Sequence, residues 1–257
     1  MGDNILTMIK VIELPIDKDM GGLTSYVLQL YRMIDKKEFE LTLLSYDDPQ
    51  NFDVNYNVET VSRPYHIIQF YKKMKSLLSE EKNIIHFHQS YVNIIPILIA
   101  KLAGFKTIIL HAHSSSIDDN RKIVRFLKTG LHKVGRFLLP YLVDTYIGCS
   151  TKASEWMFPR KCIDSDSYYL LHNAIDLDLY DRNINLGLEV RQKFNIPKDA
   201  LVVGHIGRFT PVKNHPFIID IFKEVLKQNP NSYLFLLGWK YSKYCQGNTK
   251  TNQFRHL

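Results

Sequence analysis

The 257 residues contain three cysteines, at positions 149, 162 and 245, without metal-type spacing. That scarcity excludes a cysteine-built metal site and fits a reducing cytoplasm. No apolar run is long enough to span a bilayer; the stretch "NIIPILIAKLAG" at 93–104 is interrupted by Pro96 and Lys101. The N-terminus lacks the basic region, apolar stretch and small-residue cleavage site of a secretory signal. Neither the G-x-G-x-x-G dinucleotide fingerprint nor a G-x-x-x-x-G-K-[ST] phosphate loop occurs, and no internal repeat or low-complexity tract interrupts the chain.

With 45% hydrophobic residues, the chain can bury a sizeable core in one large or two small domains. Its formal net charge of +7 suits an anionic partner, whether nucleic acid, acidic lipid or a phosphorylated substrate. Strands and helices alternate in the pattern: strand at 7–16, helix at 21–35, strand at 39–46, a helix through Ile67, Phe70, Met74 and Leu77, and strand at 83–88. A helix near 91–103, a strand at 105–113, a basic helix from 121 and a strand at 142–150 continue the series. Alternation of this kind predicts an α/β fold with a parallel, doubly wound sheet.

The junctions between these elements carry the chemistry. Gly21 and Gly22 precede a helix, where they let a backbone approach a ligand closely beside the helix N-terminus. Val202 to Gly207 reads as a strand and Phe217 to Leu226 as an amphipathic helix, which places Arg208 and Lys213 on the loop between, poised for a phosphate. His86 and His88 alternate at the end of one predicted strand, and His111 and His113 at the end of another, so each pair shares a sheet face. Two His-x-His pairs make a metal-dependent hydrolase an alternative, although no carboxylate accompanies either pair closely in the sequence. In the basic helix, Arg121, Arg125, Lys128, His132 and Arg136 advance by threes and fours along one face, following the helix-starting cluster at 118–120. Ile123, Val124, Phe126, Leu127, Leu131, Val134 and Leu138 occupy much of the remainder. Such a helix reads either as a membrane-surface element or as a domain helix with a solvated cationic face.

Five segments in order, "MGGLTSYVLQL", "HAHSSS" at 111–116, "GCSTKASEWMF" at 148–158, "LLHNAIDLDLY" at 170–180 and "HIGRFTPVKNH" at 205–215, resemble the retaining glycosyltransferases of family 4, of GT-B architecture. Bacterial enzymes that assemble capsule or exopolysaccharide are the most similar type. The resemblance implies an N-terminal Rossmann-like domain on the acceptor side (1–180) and a second Rossmann-like domain that binds a UDP- or GDP-linked sugar. It implies that Gly21, Gly22, Arg208 and Lys213 hold the donor diphosphate and that His113 is catalytic, near the reacting sugar. His88, His111, Ser150 and Asn173 would line the cleft or contact acceptor, with Asn173 to Asp176 starting the crossing between domains. Protein cations would stabilise the departing diphosphate, so no metal or other cofactor is implied. The implied partners are the nucleotide sugar and a glycan or lipid-linked acceptor, with no nucleic acid. The implied location is the cytoplasm, with peripheral contact at the inner face of an anionic plasma membrane.

The C-terminal part departs from the family pattern. After "SYLFLLG" at 232–238, the family's Gly-rich turn and Glu-x₇-Glu segment are replaced by "WKYSKYCQGNTKTNQFRHL", which has no acidic residue and no strand or helix period. The expectation is therefore an incomplete donor domain over 181–238 and an aberrant or disordered tail over 239–257, with impaired catalysis. A non-catalytic remnant that binds acceptor or membrane is the competing reading.

Overall fold

A computed structural model of the chain describes residues 8–18, 21–78, 83–117, 119, 121–177 and 184–238. The expected tail at 239–257, and positions 118 and 120 of the helix-starting cluster, lie outside the described residues. The chain divides into two compact units between Leu177 and Asp178.

In the first unit, seven strands form one sheet: β1 (Ile9–Ile16), β2 (Phe39–Ser45), β3 (Val58–Thr60), β4 (Asn83–Gln89), β5 (Thr107–Ala112), β6 (Thr145–Gly148) and β7 (Tyr168–Leu170). Their order is β3-β2-β1-β4-β5-β6-β7, and every neighbouring pair runs parallel. The chain winds outward from β1 to β3, then returns to the other side of β1 to lay down β4. That reversal opens a crevice at the carboxyl ends of β1 and β4, where ligands bind in open α/β sheets. Helices α1 (Gly22–Met33), α2 (Ile67–Ser76), α3 (Ile94–Ala103), α4 (Lys122–Leu142), α5 (Thr151–Met157) and α6 (Arg160–Ile163) connect the strands. Gly104 ends α3 in the left-handed conformation at φ 116°, its N–H bonded to the carbonyls of Ala100 and Lys101.

The pleat of the central strands explains both the core and its exceptions. Ile85 and Phe87 of β4 join Ile108 and Leu110 of β5, Phe70 and Met74 of α2, and Ile97 of α3 in the main apolar cluster. His86 and His88, at the intervening positions, point to the opposite face. A second cluster of Ile16, Val27, Leu28, Leu43 and Phe52 seats α1.

Helix α4 corrects the sequence reading of its faces. The face carrying His132 and Arg136 turns inward: His132 is 2% exposed, its Nδ1 accepts from Val92 N–H at 3.0 Å, and its ring stacks on Trp156. Arg136 donates to the carbonyls of Trp156 and Phe158, and Lys128 pairs with Asp119. Backbone carbonyls at the end of α5 thus draw Arg136 in, while Arg121 and Arg125 of the cationic face stay exposed and much of the apolar face is also left outside. Ile123 and Phe126 are each 77% exposed and Phe137 72%, with Leu127, Val134 and Tyr141 exposed beside them. The helix runs to Leu142, and β6 is shorter than the predicted 142–150 strand.

Gly135 sets how closely α4 can lie. A Cβ there would stand 2.4 Å from Val92 Cγ1, and Val92 is itself fully buried. The helix-propensity gain of Gly135→Ala, up to about 1 kcal/mol, is outweighed by overpacking of about 1 to 3 kcal/mol. A lowered urea midpoint is the expected result; an unchanged or raised one would mean that Val92 yields.

The second unit contains α7 (Ile184–Lys193) and a parallel pair, β8 (Leu201–Ile206) and β9 (Ser232–Leu237), joined through a 3-10 turn at Pro211–Lys213 and α8 (His215–Gln228). This is the predicted strand–helix–strand unit. Ile206, Val212 and Phe217 remain exposed in it.

Candidate active site

Register brings the histidines and one acid together. Glu13 on β1 pairs with His86 on β4, and His88 on β4 pairs with His111 on β5. The four side chains therefore share one sheet face at the strands' carboxyl ends, and His113 follows immediately after β5. All four are buried, Glu13 and His88 to 1% exposure and His111 to 0%. Tyr26 of α1 covers them, its ring centroid 5.2 Å from those of both His111 and His113.

Glu13 is the residue that sequence reasoning passed over. No carboxylate lies near either His pair along the chain, yet β1 delivers one beside His86 and His88. The available signal was an acid inside the otherwise apolar run "VIELPI", where a central parallel strand is covered on both faces. Glu13 Oε2 lies 2.5 Å from His88 Nε2 and 3.1 Å from His86 Nδ1, and His88 Nδ1 lies 2.8 Å from His113 Nε2. His86 Nε2 and both ring nitrogens of His111 are buried without a hydrogen-bond partner among the described residues.

Burial disfavours every charge here, and the outcome differs by group. Burial would raise the Glu13 carboxyl, but the contacts with His86 and His88 outweigh it and hold the group well below the usual carboxylate range. Burial lowers His88 to about 4, with His86 reinforcing and Glu13 opposing the shift. Burial, then the neighbouring histidines, drive His111 and His113 far below the ordinary imidazole value. The cluster is thus one ionised carboxylate contacted by His86 and by a His88 ring that burial keeps neutral at pH 7. The potential ligand nitrogens of His86, His88 and His111 lie within 4.8 Å of one another, a spacing that admits a divalent metal. His88 could join such a site only by giving up a hydrogen bond, since both of its nitrogens are engaged.

The other predicted positions fall around this crevice or apart from it. Gly21 is the N-cap of α1 and Gly22 its first residue; an added Cβ at either would meet nothing within 4 Å, so the space over the helix N-terminus is open. Ser150 caps α5, its Oγ accepting from Ala153 N–H at 3.2 Å, which gives that hydroxyl a structural duty. Asn173 lies on the exposed segment after β7.

In the second unit, Arg208 and Lys213 are exposed on the β8-to-α8 loop, and neither has an acidic partner among the described residues. Lys213 folds back over the strand end, its Cδ 3.4 Å from where a Gly207 Cβ would stand. Asn214, at φ 46°, turns the chain into α8. Beneath the loop, His215 is buried between Phe209 and His205.

Comparison with known proteins places this architecture. The Glycosyltransferase Family 4 model matches residues 20–179, more than half of the chain. The chain belongs to that family. It is 24% identical over 247 residues to EpsF of Bacillus subtilis (strain 168), named as a glycosyltransferase, covering 89% of this chain and 62% of the relative. It is 22% identical over 246 residues to the UDP-Gal:alpha-D-GlcNAc-diphosphoundecaprenol alpha-1,3-galactosyltransferase of Escherichia coli, covering 90% of this chain and 62% of the relative. The chain thus spans 62% of the length of these two curated relatives. Among solved structures, UDP-GlcNAc 2-epimerase from Methanocaldococcus jannaschii is similar in fold, with a TM-score of 0.52 at 14% identity over 89% of this chain and 65% of that one. The α/β fold class of GT-B type expected from the sequence stands.

Proposed function

We propose that the chain acts in transfer of a sugar from a UDP- or GDP-linked donor to a glycan or lipid-linked acceptor in polysaccharide synthesis, with retention at the sugar carbon. Family membership over the first unit carries this reading. Arg208 and Lys213, without an acidic partner among the described residues and beside a strand end and a helix N-terminus, suit a diphosphate whose negative charge grows as the sugar departs. Gly21 and Gly22, at the N-terminus of α1, leave a Cβ-sized space that suits an anionic oxygen of the donor, and His113 serves the reacting sugar. The outward apolar stripe of α4, flanked by the exposed Lys122 and Lys133, docks on an anionic lipid surface where a lipid-linked acceptor resides. Among the described residues, no helix is long and apolar enough to cross a membrane.

Calorimetry with UDP and GDP, without added metal, tests the donor assignment. Arg208→Ala and Lys213→Ala should each weaken binding about 5- to 150-fold, about 1 to 3 kcal/mol for a lost charge-assisted contact. Absence of any nucleotide binding would favour a non-catalytic remnant. Binding that requires zinc and follows His86, His88 and His111 would favour the hydrolase.

A further inference from the structure

We propose that Glu13 is a positioning residue that fixes the proton on His113 through His88, so that His113 offers the crevice a bare Nδ1 and receives a hydroxyl there, not a phosphate. The inference rests on reading the crevice as a sugar-transfer site.

The proton positions follow from what each group can do. An ionised carboxylate only accepts, so the 2.5 Å contact from Glu13 Oε2 puts a proton on His88 Nε2. A neutral imidazole carries one N–H, which leaves His88 Nδ1 bare. That atom lies 2.8 Å from His113 Nε2, so His113 must carry its proton on Nε2 and its own Nδ1 is bare in turn. His86 donates from Nδ1 to the same carboxylate, 3.1 Å from Oε2 and 3.3 Å from Oε1, a second anchor that keeps Glu13 accepting. With His88 and His113 neutral, only one placement of their protons satisfies these contacts while residue 13 can only accept.

His113 is partly exposed, and no protein group among the described residues hydrogen-bonds its Nδ1. A bare ring nitrogen next to a buried carboxylate accepts from a hydroxyl and repels a phosphate oxygen. Two chemistries are thereby separated by residue type: acceptor atoms in the first unit for sugar hydroxyls, cations in the second for the diphosphate.

Long-range proton–nitrogen NMR on the full, ¹⁵N-labelled chain reads which ring nitrogen is protonated, with His88→Gln and His113→Gln variants assigning the signals. At neutral pH, His88 and His113 should each show a single Nε2–H form. Glu13→Gln supplies both a donor and an acceptor, so the constraint is lifted and His113 should change to a mixture of forms. Inorganic phosphate at millimolar concentration should leave His113 Nδ1 unshifted. An Nδ1–H form of His113 in the native chain overturns the proposal even if Glu13→Gln fails to fold. So does a phosphate-induced shift at that nitrogen, a single unchanged form in a folded Glu13→Gln variant, or stoichiometric zinc displacing the His88 proton. Failure of UDP and GDP to bind defeats the sugar-transfer reading instead, and leaves the measured proton positions as they are.

Discussion

Replacing Phe126 and Phe137 together by glutamate should abolish flotation of the protein with anionic vesicles. Both side chains are more than two-thirds exposed on α4, so their replacement removes no core contact and the melting transition should stay within about 0.5 kcal/mol of wild type. The stripe formed by Ile123, Phe126, Leu127, Val134, Phe137 and Tyr141 recurs at threes and fours, which keeps it on one side of a helix of 21 residues. Apolar residues at that spacing enter the headgroup boundary, while lysines along the edges meet acidic lipid at about 1 kcal/mol each. Wild-type protein should therefore float with acidic vesicles at low salt, more weakly with neutral ones, and less as salt rises. Equal absence from both lipid fractions would defeat the membrane assignment. A wild-type dimer that becomes monomeric in the double variant would assign the stripe to self-association.

The same helix shows what was legible in the sequence and what was not. Its existence and amphipathic period were readable from the spacing of Ile123, Phe126, Leu127 and Val134. Which face turns inward was not, because Arg136 is held by the carbonyls of Trp156 and Phe158, partners twenty and more residues away. Hydropathy assigns a cation to solvent by default, whereas a guanidinium that meets backbone acceptors can stay inside. The sheet was readable wherever strands are long and apolar. Edge strands β3 and β7 have three residues each, too few to establish a period of two. His86, His88, His111 and His113 were placed by alternation alone, and their common crevice follows from β4 and β5 being neighbours in register. Glu13 was hidden because its partners sit 73 and 75 positions away, and only the return of the chain to the far side of β1 joins them.

Acidification from pH 7 to pH 5 should destabilise the first unit by about 4 to 6 kcal/mol, well before ordinary carboxylates begin to titrate. Burial lowers His88 and His132 to about 4, and it lowers His111 further, from an ordinary imidazole value of 6.5. Below 6.5 the unfolded chain takes up protons at these rings while the folded chain stays neutral. The stability they contribute is therefore complete above the unfolded value and lost as pH falls, at about 1.4 kcal/mol per pH unit for each ring, or about 2 kcal/mol over this interval. His113 acts in the same direction, and Glu13, held low in the fold, adds its own loss only below the usual carboxylate range. Urea titrations at pH 7, 6 and 5 measure the effect. His111→Phe gives the sharper comparison, because it replaces two buried nitrogens that have no partner among the described residues with carbon in a ring of the same flat shape. Stability at pH 7 should then be unchanged or higher, and the acid loss should shrink by about 2 kcal/mol. An acid slope identical to that of wild type would place the titration elsewhere. A variant that is destabilised at neutral pH would show that the larger phenyl ring overpacks this fully buried position.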